Sequence, residues 1–281
     1  MLIDIVVPIY NAYHALSNCL KSLQKHQSIA NKIWLINDAS TDGRIIGLIN
    51  RYALTNNWTV INHNQNLGFV KTANEGLKLS NNHTILLNSD TIVSEYWLIA
   101  FQQALNKNQN IGTLTTWSNN AEICSFPNFL KNNNPPEYVD VLSNLIFNHY
   151  CAKYPNIPTA VGFCMLISQQ AKIQVGYFDE NHFGHGYGEE NDYSLRVEKE
   201  GLKNVLCDNA YVVHIGNESF NEFGLQPNEQ TMQRLLQKHP NYINNIQNFI
   251  EKDTLAINRQ EILSIIKNNN IQMYNELIKN D

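Results

Sequence analysis

The chain has 281 residues, a net charge of −5 and a sequence pI near 6.0. That length can bury a large core, and the thin spread of Lys and Arg argues against a dedicated nucleic-acid binder or a polybasic membrane patch. Five cysteines, at 19, 124, 151, 164 and 207, are odd in number and form no CxxC, which reads as reduced, mostly buried thiols in a cytosolic protein.

Residues 1–10, MLIDIVVPIY, are apolar but contain Asp4 and Pro8, with no basic stretch and no small-residue cleavage site, so a signal peptide is not expected. Residues 2–9 are β-branched and nearly all apolar, as a buried parallel strand requires. Residues 12–26 space Ala15, Leu16, Cys19, Leu20 and Leu23 as a helix does. KIWLIND (32–38) reads as a second strand ending at an acid, followed by a turn, ASTDG, that opens a helix. WTVIN (58–62) is a third strand, residues 69–79 a helix, and HTILLN (83–88) a fourth strand. A helix around 95–107 and a strand near 111–116 follow.

The stretch 117–158 carries Pro127, Pro135, Pro136, Pro155 and Pro158 and reads as an irregular excursion with one helix near 138–152. Residues 159–168 return as a strand, NHFGHGYG (181–188) is a Gly-rich loop, and 189–201 a helix closed by Gly201. KNVLC (203–207) and AYVVHIG (210–216) read as two last strands. Beyond them the pattern is helical and Asn-rich, with Asp253 or Thr254 a candidate cap. The expected division is a catalytic domain over 1–220 and a helical extension over 221–281 that packs on it or offers a partner surface. No run approaches the roughly 18 apolar residues of a spanning helix. The expected location is the cytoplasm, with a peripheral contact at the inner face of a membrane left open, as is the oligomeric state.

Strands and helices alternate with short connections, which predicts an α/β fold with a mostly parallel sheet flanked by helices. In such sheets ligands bind at the carboxyl ends of strands. Three strand ends here carry polar groups: Pro8–Asn11, Asn37–Asp38 and Asn88–Asp90, the last within LLNSDT.

Together VVPIYNA (6–12), INDASTDG (36–43), NLGFVKTANEG (66–76) with LLNSDT (86–91), and GYGEENDYSLRVEKEG (186–201) with VVHIG (212–216) resemble the inverting family-2 type glycosyltransferases of the GT-A fold. The resemblance covers about residues 2–220. It implies a metal-dependent transfer of a sugar from a nucleoside diphosphate, UDP or dTDP favoured, to a hydroxyl of a glycan or glycolipid, with no nucleic acid involved. Bacterial surface polysaccharide synthesis is the setting it suggests.

Carried onto this sequence, the resemblance places the nucleobase and ribose against Pro8, Ile9, Tyr10 and Asp38, with Asn66, Gly68 and Asn74 supporting the donor. Asn88, Ser89 and Asp90 correspond to the metal-binding DxD element, and Asn88 replaces its first Asp. Asp90 and His214 are then the implied ligands of Mn²⁺ or Mg²⁺, a hard ion for carboxylate and phosphate oxygens. Glu190 is the implied general base and Asp192 the runner-up. Glu190 stands where the family often has Asp, one methylene shorter. Without the resemblance, the acids at 189, 190 and 192 read equally as a favourable helix start, and Asp38 as a cap. On the acceptor side stand Glu189, His182 and His185, and Trp117, which could stack on a sugar or belong to the core.

Other classes fit less well. A dinucleotide dehydrogenase needs GxGxxG after the first strand, and a nucleotidyltransferase a basic Gly-rich loop there; VVPIYNAYH is neither. A silent nucleotide-sugar or glycan-binding module would have lost the base or the metal acid, yet Glu190, Asp90 and His214 are present.

Overall fold

A computed structural model of the chain describes residues 1–184, 186–216 and 229–279. Its centre is an eight-stranded sheet of order β3-β2-β1-β4-β7-β6-β8-β5. The strands are β1 Ile3–Ile9, β2 Ile33–Asn37, β3 Thr59–Asn62, β4 His83–Leu87, β5 Thr91–Val93, β6 Ile111–Trp117, β7 Cys164–Ile167 and β8 Lys203–His214. The pairings β1–β2, β1–β4, β2–β3 and β6–β8 are parallel, while β7 runs antiparallel to β4 and β6, and β5 antiparallel to β8. The sheet is thus mixed and mostly parallel.

Side-chain alternation along the strands divides two cores. Ile3, Ile5, Val7 and Ile9 of β1, Ile33 and Leu35 of β2 and Ile85 and Leu87 of β4 face one side; Val6, Trp34, Ile36 and Leu86 face the other. Helices cover both faces, which is why these strands read as continuous apolar runs. The first face is packed by α1 (Tyr13–Lys25), α2 (Arg44–Asn56), α4 (Trp97–Lys107) and α5 (Val139–His149). The second takes α3 (Phe69–Leu79) and α8 (Glu189–Lys199), with the short α6 (Gln169–Gln174) and α7 (Glu180–Phe183) between them. Gly76 of α3 lies so close to β1 that a Cβ there would stand 2.2 Å from Val6 Cγ1, so only glycine allows this approach.

Three expectations need correction. The strand expected over 159–168 is ordered as a strand only in β7. Residues 203–207 and 210–216 are not two strands: β8 runs unbroken through Asp208-Asn209, with a register shift against β6 between Thr116 and Trp117. That polar pair looks like a turn in sequence, but Asp208 is fully buried and accepts hydrogen bonds from Tyr150 Oη, Asn258 Nδ2 and the Lys153 and Tyr154 amides. Asp253 does not cap the following helix: it ends the preceding one in a left-handed conformation (φ 38°), and its carboxylate pairs with Arg259.

The C-terminal segment forms α9 (Glu229–Lys238), α10 (Tyr242–Lys252), α11 (Ala256–Asn269) and α12 (Ile271–Ile278). Leu255, Ile262, Ile266, Met273 and Leu277 belong to the same core as β1 and α1, and Leu235 to the opposite one. The helices therefore pack on both sides of the sheet. Among the described residues no helix is long and apolar enough to cross a membrane. Cys19, Cys124, Cys164 and Cys207 are buried free thiols, and Cys151 is exposed.

Candidate active site

The carboxyl ends of β1, β2 and β4 lie side by side, and the polar turns that follow them are tied to one another. Asn11, in a left-handed conformation after β1, accepts the Thr41 and Asp42 amides with Oδ1, while its own amide donates to Ser40 Oγ. Ile9 is committed to the core, and its carbonyl accepts the Asp38 amide, so neither is free for a ligand. Pro8 pairs in register with Ile36 inside the sheet. Tyr10, partly exposed, remains as the side chain of this strand end that can meet a ring.

Asp38 is 4 % exposed and organises the neighbouring loop. Its carboxylate accepts the Leu67 amide at 2.7 Å, the Gly68 amide at 2.9 Å and His63 Nδ1 at 2.8 Å. Of about four acceptor positions on a carboxylate, these contacts occupy three. Asn66 donates to the Asp38 carbonyl and accepts the Gly68 amide, and Gly68 begins α3 with φ 85°. Asn74, by contrast, faces the α7 side: its amide bonds the Phe178 backbone and Glu180 Oε1. Its role is to hold that segment, not to touch a donor.

His63 is a member of this site with no signal in the sequence. Its ring spans two carboxylates, with Nε2 2.6 Å from Glu75 Oε2. Burial alone would lower its pKa, but Asp38 and Glu75 outweigh it and the value is raised. Both nitrogens can donate only in the imidazolium. Below the ordinary histidine value of about 6.5 the ring is charged whether folded or unfolded, and both ion pairs contribute in full. That stability is lost as pH rises through the raised folded value. Denaturant unfolding followed from about pH 6 to 9 should therefore decline more steeply for the wild type than for His63→Gln; equal slopes would remove His63 as the cause.

The LLNSDT turn lies at the end of β4. Asn88 donates its amide to the Phe163 carbonyl, its carbonyl accepts from Thr91 Oγ1, and Ser89 is buried. Directly after Asp90 the chain enters β5, whose Thr91 stands opposite His214 in the antiparallel pair with β8. This pairing, with the Ile215 amide on the Asp90 carbonyl, brings Asp90 and His214 together.

His214 is held from all sides. Its backbone N–H and C=O are both taken by the Asn119 side-chain amide, its ring stacks on Phe163, and Nδ1 lies 2.8 Å from the Asn120 carbonyl. That carbonyl can only accept, so Nδ1 carries a proton, and in the neutral ring Nε2 presents a lone pair. Nε2 stands 3.6 Å from Asp90 Oδ1, beyond hydrogen-bond range. Two acceptors facing each other fit a cation between them. Among the described residues no group of three or more His, Cys, Asp or Glu converges as a metal site. A cation held by this pair would take its remaining ligands from elsewhere.

These residues line a cleft of about 250 Å³ with Phe69, Asn88, Gly162, Tyr187, Glu122, Glu189 and Glu190. The acids come from two directions. Glu189 and Glu190 open α8, which starts after Gly188 with φ 93°. Glu122 rises from the 117–158 excursion in a left-handed conformation (φ 47°). Glu189 is 6 % exposed, and its Oε2 has no hydrogen-bond partner among the described residues. Its carboxyl is pushed well up, by burial first and then by Glu190. Glu190 is pushed up by burial and then by Glu122, and Glu122 itself by desolvation. Glu190 is half-buried and Glu122 exposed where they line the cleft.

Three further expected site residues are elsewhere. Asp192 is fully buried and saturated by Arg196, Lys238 and His239 at 2.7–2.8 Å. Burial would raise its pKa, but these three groups outweigh it and hold it below the usual range. A charged, fully paired carboxylate inside the protein cannot take a substrate proton, so Asp192 is not the base. Trp117 is fully buried, with its indole N–H on the Asp208 carbonyl and its ring against Phe126, so it belongs to the core and stacks on no sugar. His182 does not line the cleft; its Nδ1 bonds Asp179 at 2.7 Å. His185 lies outside the described residues. Asn119, Asn120 and Glu122 had no sequence signal beyond the length of the loop that carries them.

Several known structures share this architecture. GalNAc-T7 with UDP, GalNAc and Mn²⁺ superposes with a TM-score of 0.66 at 14 % identity, covering 93 % of this chain and 54 % of the other, so the chain spans about half that protein's length. The mannosyltransferase PcManGT from Pyrobaculum calidifontis, in complex with GDP-Man and Mn²⁺, gives 0.58 at 12 % identity over 94 % and 74 % of the two chains. S. aureus TarS 1-349 in complex with UDP-GlcNAc gives 0.58 at 13 % over 99 % and 82 %. At these identities the likeness is one of fold. No curated protein matches the sequence. The family model described as glycosyl transferase family 2 matches residues 4–176, more than half of the 281, and the chain accordingly belongs to glycosyl transferase family 2.

Proposed function

We propose that the cleft transfers a sugar from a nucleoside diphosphate to an acceptor hydroxyl with inversion at the anomeric carbon, assisted by a divalent cation. The observation that carries this reading is the juxtaposition, in one cleft, of the Asp90–His214 pair with a glutamate of raised pKa, Glu190. Asp38, Tyr10 and the 63–68 loop form the nucleoside end. Similar structures hold UDP with GalNAc, GDP-Man or UDP-GlcNAc, two of them with Mn²⁺; UDP or dTDP is favoured here.

Glu190 accepts the proton of the acceptor hydroxyl as that oxygen forms its bond to the anomeric carbon. On the opposite side the bond from that carbon to the phosphate oxygen breaks, and its electron pair leaves with the diphosphate. Mn²⁺ or Mg²⁺ on Asp90 and His214 would supply Lewis-acid stabilisation of that charge. Asn88, in place of a second carboxylate, leaves less negative charge beside the diphosphate. A glycan or glycolipid is the proposed acceptor class, residues 1–220 the catalytic unit, and the cytoplasm, with a peripheral membrane contact, the proposed location.

A panel of UDP-, dTDP- and GDP-sugars should show nucleotide release from one donor that stops with chelator and returns with Mn²⁺ or Mg²⁺. The product anomer, read by NMR, should be inverted. Release undiminished by chelator would sink the metal assignment, and a retained anomer the in-line mechanism.

A further inference from the structure

The turn that joins α9 to α10 reaches back onto the first turn of α8, which carries Glu190. Three consecutive contacts make the junction. Lys238 Nζ and His239 Nε2 lie 2.7 and 2.8 Å from Asp192 Oδ1, and Tyr242 Oη donates to Asn191 Oδ1 at 3.1 Å. The Asn191 amide nitrogen, turned the other way, donates to Glu190 Oε1 at 3.1 Å. A phenol, a carboxamide and the glutamate in the cleft thus form one hydrogen-bonded chain.

The polarity of this chain is determined at its carboxylate end. An ionised Glu190 can only accept, so Asn191 presents its NH₂ to it, and the Asn191 carbonyl oxygen then accepts from the Tyr242 hydroxyl. The anchor is rigid: Leu235 of α9 is 2 % exposed in the core that also holds Phe183 and Tyr193, and Tyr242 packs against the same cluster. Asp192, the hub beside it, clamps α8 to the same turn.

We infer that Tyr242 is a positioning residue for the transfer reaction: acting through Asn191, it sets the direction in which the Glu190 carboxylate faces the acceptor hydroxyl. This rests on the reading of Glu190 as the base. It makes α9 and α10 part of the machinery of the site and not only a cover for the sheet. A carboxylate free to rotate about its χ angles spends part of its time out of line, and misplacement of a base costs rate with no cost in ground-state binding.

The test is Tyr242→Phe, which keeps the ring and removes one hydroxyl, in the full chain. Its kcat should fall about tenfold while donor and acceptor KM stay within about twofold, with an unchanged melting temperature. Asn191→Ala should give a similar loss, and the double variant no more than Asn191→Ala alone, because both cut one chain. A wild-type kcat in Tyr242→Phe, beside an inactive Glu190→Gln, overturns the inference. So does a Tyr242→Phe loss that multiplies undiminished in the Asn191→Ala background, which would place Tyr242 on another route. Full activity in Glu190→Gln would instead remove the base reading itself.

Discussion

Glu190→Gln is expected to lower transfer by about 10²–10⁴-fold, the usual contribution of a positioned general base, while nucleotide affinity measured by calorimetry stays near that of the wild type. The side chain keeps its size and its place in the Asn191 chain, but an amide cannot accept the hydroxyl proton. The raised pKa of Glu190 sharpens the expectation. A base whose conjugate acid lies above the ordinary glutamate value of about 4.3 is a stronger proton acceptor, at the cost of being less ionised at low pH. The rate should therefore rise with pH through the raised value and level off above it, and that limb should vanish in the variant. Retained activity would leave Glu189 or Glu122 as the proton acceptor, since Asp192 is sealed by Arg196, Lys238 and His239.

The second large effect is expected at Asp90, the proposed metal ligand. Asp90→Asn removes the only carboxylate in the Asp90–His214 pair, and with Asn88 alongside, the turn keeps no acid. In this position an amide adds a weak neutral ligand where the donor diphosphate needs a cation. Mn²⁺-dependent nucleotide binding should weaken by at least about 10²-fold, with a comparable further loss in rate, since charge on the leaving oxygens is stabilised mainly through the cation. Calorimetry of UDP or dTDP with and without Mn²⁺ separates the two. If the metal-dependent share of binding survives in Asp90→Asn, the cation is held elsewhere.

Much of the fold was legible because buried parallel strands and amphipathic helices write their burial directly into the order of residues. β1, β2 and β4, and the helices α1, α3 and α4, lie within two residues of where periodicity alone put them. The failures share a cause. Asp208-Asn209 looks like a turn because polar residues usually seek water, but here four donors distant in sequence meet the Asp208 carboxylate. Asp192 looks like a site acid because three acids open one helix. Two of its partners come from the C-terminal segment, more than forty residues on.

What the sequence determined by itself is most of the alternation of strands and helices, without β5 or the continuity of β8, and the polar turns at strand ends where Asp38 and Asp90 stand. Local propensity and hydrophobic period act between near neighbours, so one strand of text suffices to read them. Only the tertiary structure decided which acids are available. Burial, the pairing of Thr91 with His214, the Asn120 carbonyl that selects the histidine tautomer, and the Tyr242–Asn191–Glu190 chain all join residues far apart along the chain. A carboxylate in water is the same at every position; its chemistry becomes particular when the fold chooses its neighbours and removes its solvent.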